Sequence, residues 1–242
     1  MLIAADTHVH VYPFYDREAA IDGGFQRLAA AAPGAGNLAL CLTERYDCHA
    51  FRDFPFERVE GTAMRRSGDQ WIFAGRQIVT RERLEVLALT IDIEITDGQP
   101  IDDVLARVRD VGGVPVLAWA PGKWFFERGR IVDRLLDQSG PGQLLLGDTS
   151  LRPAIWPEPC QMKRARARGF PVIAGSDPLP FAGEERMSGT YGIKADAGWD
   201  AARPVTSMRA LLRNAAGLSF VGRRGGPVET FHRLQKNKQA KS

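Results

Sequence analysis

The chain has 242 residues, 44% hydrophobic and 25% charged, the balance of a globular protein with a sizeable core. No apolar run approaches the 18 residues of a membrane helix, and no basic stretch precedes the short apolar start, so neither a membrane span nor a signal peptide is expected. The net charge of +3 is small, much of it sits in residues 236–242, and no basic stripe is interleaved with aromatics, which argues against nucleic acid as a partner. Three cysteines (Cys41, Cys48, Cys160) in an odd count with no C-x-x-C pair fit a reduced, cytoplasmic protein.

In chain order, residues 2–5 read as a buried strand, 18–32 as a helix ended by Pro33-Gly34, and 37–43 as a second buried strand with Cys41 in the core. Residues 45–70 read as irregular. Residues 71–79 and 84–93 read as two strands, a hairpin around Arg81-Glu82-Arg83. Apolar residues at 101, 104, 105, 108 and 111 have helical spacing. A strand at 114–118, a helix at 129–138 and a strand at 143–146 follow, then a helix at 159–168, a strand at 171–174 and a helix at 206–214. Strands alternating with helices predict a parallel sheet with crossover helices in one domain over residues 1–230, and residues 231–242 read as a basic, disordered tail.

The chemistry-bearing residues fall at the C-terminal ends of these strands, where parallel α/β folds gather their sites. His8 and His10 follow the first strand. Two residues apart in an extended chain they share a face, and paired neutral imidazoles suit a borderline divalent cation such as zinc or manganese. The chain has four histidines in all, so the pair is not drawn from a His-rich background; His49 and His232 take no role. Glu44 and Arg45 follow the second strand, Lys123 and Trp124 a middle one, Asp148 the run 144–147, and Asp177 the run 172–176.

These stretches resemble successive motifs of the PHP (polymerase and histidinol phosphatase) superfamily across about residues 1–195. The motifs are Asp6-Thr7-His8-Val9-His10, Leu42-Thr43-Glu44-Arg45, Gly75-Arg76-Gln77-Ile78, residues 112–118 and Ala174-Gly175-Ser176-Asp177. The resemblance implies a distorted seven-stranded β/α barrel that hydrolyses phosphoesters with divalent metals at the strand ends. It also implies His8, His10 and Asp177 as ligands, with Glu44 a further candidate. The departures are as specific. Thr43-Glu44-Arg45 stands where the family has Thr-Asp-His, and Gln77 where it has a bridging glutamate. No histidine follows Ala118 or Asp177. A reduced centre holding one divalent ion (zinc, manganese or iron) is expected. The His-x-His and late aspartate are also similar to those of the wider metal-dependent amidohydrolases.

The expected activity is hydrolysis of a small anionic ester, a phosphoester first. Asp177 takes a proton from water, while Lys123 stabilises developing negative charge. Arg45, Lys123, Asp148 and Arg186 are the expected substrate contacts, with Arg152 a further cation. Trp119, Trp124, Phe125 and Phe126 read as pocket wall or core, and residues 183–189 as a mobile lid. The competing reading is a catalytically inactive protein that keeps the pocket for an anion or a protein partner; Gln77 and the missing histidines favour it.

Overall fold

The apolar run at the N-terminus becomes β1 (Leu2–Val9), longer than its apolar core because Asp6, Thr7 and His8 stay in the strand and are buried with it. It belongs to a computed structural model that describes residues 1–240. Asp16 caps α1 (Arg17–Ala31) by accepting from Ala19 N, and the helix buries Ile21, Phe25 and Leu28. The segment read as irregular holds α2 (Ala50–Asp53), β3 (Glu57–Glu60) and β4 (Ala63–Ser67) after β2 (Asn37–Leu42).

The expected strand over residues 71–79 is two strands in two sheets, β5 (Gln70–Phe73) and β6 (Gly75–Val79). The chain changes sheets at Ala74, and Gly75 permits it. A Cβ there would lie 2.4 Å from Leu42 O and 2.9 Å from Ala88 O. From β6 the chain turns back into β7 (Glu85–Leu89) as the expected hairpin, then runs through α3 (Ile101–Asp110), β8 (Val114–Ala118), α4 (Phe126–Gln138), β9 (Leu145–Thr149), α5 (Cys160–Ala167) and β10 (Val172–Gly175). A 3-10 helix (Glu184–Met187), β11 (Tyr191–Asp196), α6 (Pro204–Arg213), β12 (Ser219–Gly222) and α7 (Pro227–Gln239) complete it.

The strands form two mixed sheets, ordered β12-β11-β1-β2-β5-β4-β3 and β10-β9-β8-β7-β6. The expected seven-stranded β/α barrel is therefore not formed. The neighbours of β1 explain why: β2 pairs with it parallel, but β11 on the other side is antiparallel, and β7 pairs antiparallel with both β6 and β8. The sheets face each other across a shared core that includes Ile3, Ala5, Phe73, Leu87, Val116, Leu145 and Ile173, to which α6 adds Met208 and Leu212. α1 covers the outer face of the first sheet; α3, α4 and α5 cover that of the second.

Two seams join the sheets. On one side Glu44 and Arg76 form a lone parallel bridge beyond β2; on the other β10 lies against β1. The C-terminal segment expected to be disordered is α7 as far as Gln239, while Lys241 and Ser242 lie outside the described residues. Among the described residues no helix is long and apolar enough to cross a membrane.

Candidate metal centre

The seam between β1 and β10 brings the two ends of the chain together. Thr7 Oγ1 donates to Ala174 O at 2.8 Å, and Asp177 N donates to His8 O at 2.8 Å. Gly175 makes the approach possible, since a Cβ there would sit 2.3 Å from His8 Cβ and 2.4 Å from His8 N. Asp6 is the rivet. Fully buried, it accepts from Ser176 N at 2.9 Å, from the Ser176 hydroxyl, from Gly189 N at 2.8 Å and from His8 N at 3.2 Å. Burial pushes its carboxyl up to about 6 against these hydrogen bonds, which favour the ionised form.

Beyond this seam His8, His10 and Asp177 converge, all buried. His8 Nε2 lies 3.1 Å from His10 Nε2, and Asp177 Oδ1 lies 3.5 and 3.7 Å from the two ring nitrogens. A tetrahedral ion bound at 2.0–2.2 Å spaces its ligands by roughly 3.3–3.6 Å. The three observed edges bracket that range, and two imidazoles with one carboxylate are a borderline-cation donor set, so the residues fit a divalent ion. Burial and the neighbouring His8 and Arg45 push His10 down to about 3, so its imidazole needs to lose no proton to ligate. Burial works to raise Asp177, but His8, His10, Arg233 and the Thr149 hydroxyl together hold its carboxyl below the usual range.

Asp177 has φ of +50°, the left-handed region where aspartate is among the few tolerated side chains. Its conformation is held from both sides: its N–H binds His8 O, and its own carbonyl accepts from Arg233 Nη2 at 3.1 Å. Thr149 Oγ1 donates to Asp177 Oδ2 at 3.1 Å, which orients the carboxylate with Oδ1 toward the imidazoles. Gln77 Oε1 lies 3.0 Å from His8 Nε2, so Gln77 faces the candidate ligands as a neutral amide.

A cavity of about 200 Å³ opens on this group, lined by His10, Tyr12, Arg45, Gln77, Lys123 and Asp177 and roofed by Leu234 and Asn237 of α7. Lys123 is there but bound to Glu85, Nζ to Oε1 at 2.6 Å.

Glu44 is not in the ligand group. Its Oε1 accepts from Phe51 N at 3.0 Å and its Oε2 lies 3.9 Å from Arg76. Arg45 and Gln77, one position along from Glu44 and Arg76, line the cavity, so strand alternation turns Glu44 and Arg76 to the other face. The same alternation separates Asp148 from Thr149. While Thr149 reaches Asp177, Asp148 is clasped by Arg152 (Nε and Nη2 at 2.7 and 2.6 Å) and by the Tyr191 hydroxyl at 2.9 Å. Neither Asp148 nor Arg152 lines the cavity.

Arg186 is exposed on the 3-10 helix and does not line it either. The expected mobile lid is pinned: Glu184 is buried against Arg233, and Gly189 is bound to Asp6. Trp119, Trp124 and Phe125 wall a different cavity with Trp156, and Phe126 is exposed.

Three residues escaped the sequence reading. Thr149 is the neighbour of a residue it singled out, one register step away. Tyr12 continues the His8, His10 alternation, a signal that was present. Arg233 had none, because nothing in a basic C-terminal stretch marks one arginine as buried. Its side chain binds Glu184 through Nε and Nη2 at 2.9 and 2.7 Å and Ser150 Oγ at 2.9 Å, fastening α7 over the site.

No protein-family model matches the chain, and no curated protein matches it in sequence. Solved structures do match its fold. PsfC from Pseudomonas syringae PB-5123 superposes with a TM-score of 0.62 at 15% identity, over 99% of each chain. The lesion-specific endonuclease PfuEndoQ from Pyrococcus furiosus gives a TM-score of 0.55 at 12% identity, over 91% of this chain and 58% of that one. Endonuclease Q in complex with a 27-mer duplex carrying an abasic lesion gives 0.55 at 12% identity, over 90% of this chain and 58% of that one. At these identities the likeness is one of fold, and this chain spans a little over half the length of the endonuclease Q chains.

Proposed function

We propose that this protein is a metal-dependent hydrolase of a small anionic ester, a phosphoester first, with one divalent ion held by His8, His10 and Asp177, and that it is a distant relative of the PHP proteins. The observation that carries the reading is the convergence of these three side chains, 167 or more residues apart for the aspartate, at tetrahedral ligand spacing on the wall of a cavity. The fold shared with lesion-specific endonucleases supports a hydrolase. A divalent ion with an open position would supply an acidified water and polarise the scissile bond. The chain's own groups do the rest. Asp177 Oδ2 keeps a lone pair beside the Thr149 hydrogen bond and takes the proton from water. Arg45 attracts the anion, and Lys123, with its charge shared by Glu85, lies at the same wall. The roof of α7 favours a small substrate over a polynucleotide.

Elemental analysis of the purified protein should find about one equivalent of zinc, manganese or iron, and that metal should support turnover on a panel of phosphoesters. Loss of both in the His8→Ala/His10→Ala double variant, with the fold intact, supports the reading. Absence of stoichiometric metal together with absence of turnover removes it. One observation favours the second reading, a non-catalytic anion or partner binder: the amide of Gln77 beside His8 in place of a carboxylate. A protein that retains anion binding but hydrolyses nothing in any metal would be that.

A further inference from the structure

Tyr12 and Arg45, both on the cavity wall, have no protein partner for their polar side-chain groups among the described residues. Tyr12 is 7% exposed and lines the cavity, yet its hydroxyl makes no hydrogen bond among the described residues. Its ring is clamped, stacked on His10 at 5.4 Å and on Phe14 at 5.6 Å, with Tyr15 edge-on at 5.2 Å. The hydroxyl of Tyr15, by contrast, is committed to Leu179 O at 2.5 Å. Arg45, half-buried on the same wall, has no ion pair or side-chain hydrogen bond among the described residues, whereas Arg76, Arg152 and Arg233 are each bound to carboxylates or carbonyls. The Tyr12 hydroxyl opens on the cavity, and both the rigidity of its ring and its place on the same wall as Arg45 prepare it for an oxygen that the protein does not supply.

Resting on the phosphoester reading above, we propose that Tyr12 and Arg45 form a clamp for the terminal phosphoryl group of a small phosphomonoester. Arg45 neutralises the dianion and Tyr12 donates a hydrogen bond to one non-bridging oxygen. A monoester has three such oxygens and a diester two, so a clamp of two donors facing the ligand trio matches the monoester. The cavity of about 200 Å³ under Leu234 and Asn237 restricts the alcohol portion to a small one.

The test is calorimetric titration of inorganic phosphate into the protein, with and without zinc, compared with dimethyl phosphate as a diester mimic. Tyr12→Phe keeps the aromatic stack and removes one hydrogen bond to a charged group, so phosphate affinity should fall about tenfold, and Arg45→Met should lower it at least as much. Tyr46→Phe, at an exposed tyrosine outside the cavity, should leave it unchanged. Zinc content should be equal in all four proteins, and dimethyl phosphate should bind more weakly and ignore Tyr12→Phe. Phosphate affinity within twofold of wild type in Tyr12→Phe overturns the clamp, as does a wild type that binds no phosphate at millimolar concentration. Phosphate binding that depends on Tyr12 without hydrolysis of any ester keeps the clamp and sinks the hydrolase reading. Hydrolysis with an unaffected phosphate affinity does the reverse.

Discussion

Arg233→Met asks whether α7 is part of the site or a loose end. Arg233 and Glu184 are both buried, 6% and 5% exposed, and the guanidinium also binds Ser150 Oγ and the carbonyl of Asp177. Methionine keeps most of the side-chain volume but leaves the Glu184 carboxylate buried without its cation, although Glu184 retains the Leu179 N–H at 3.0 Å. Breaking such a pair from one side costs about 3–5 kcal/mol, a large part of the 5–15 kcal/mol that holds a typical domain folded. For a chain of this length that corresponds to a fall of about 10 °C in melting temperature. Because the lost cost is that of an orphaned charge, Arg233→Met/Glu184→Gln should recover a good part of it, giving a coupling energy of about 2 kcal/mol or more in a double-mutant cycle. Urea unfolding of the four proteins measures it. A single-variant cost below 1 kcal/mol, or a double variant no more stable than Arg233→Met, would refute the argument that the buried pair fastens α7 to the Asp177 loop.

Three further outcomes follow from the same geometry. Zinc at one hundred times its dissociation constant should stabilise the wild type by about 2.7 kcal/mol and the His8→Ala/His10→Ala variant not at all, read by thermal unfolding with and without the metal; equal shifts in both would place the ion elsewhere. Burial holds Glu44 up to about 7 against an ordinary value of 4.5, so between those values the folded protein keeps a proton that the unfolded chain has lost. The contribution of Glu44 is therefore fully present below about pH 4.5 and lost as pH rises through about 7, on the order of 3 kcal/mol. Glu44→Gln should flatten that part of the stability–pH curve, and a difference from wild type that is constant from pH 4.5 to 8 would contradict it. Gly75→Ala pushes a methyl against Leu42 O and Ala88 O, neither of which is a flexible side-chain end, and should cost about 1–3 kcal/mol by chemical denaturation; a neutral result would mean the sheet crossover relaxes freely.

Much of the site was legible from local pattern. His8 and His10 share a face because an extended chain alternates with period two, and Asp177 could be paired with them because strand ends gather chemistry. Glu44 and Asp148 were one register step from the residues that count, Arg45 in one case and Thr149 in the other. Hydrophobic pattern shows that a strand is buried but not which side of it faces a cavity when both faces are covered. Arg233 was hidden for a different reason: its burial depends on Glu184, 49 residues earlier, and a helix whose polar face docks on a carboxylate looks like any solvated helix in sequence.

The sequence by itself determined the elements with strong periodicity, the helices α3, α4 and α5 and the strands they connect, because those patterns are local. It also carried both ends of the candidate metal centre as recognisable residue types. The tertiary structure alone decided that Ala74 and Gly75 divide one apolar run between two sheets, that β11 returns antiparallel beside β1 with β12 on its far side, and that α7 covers the cavity. Strand direction and sheet membership are set by which backbone groups find partners far along the chain, and at Gly75 and Gly175 by how closely two backbones can approach.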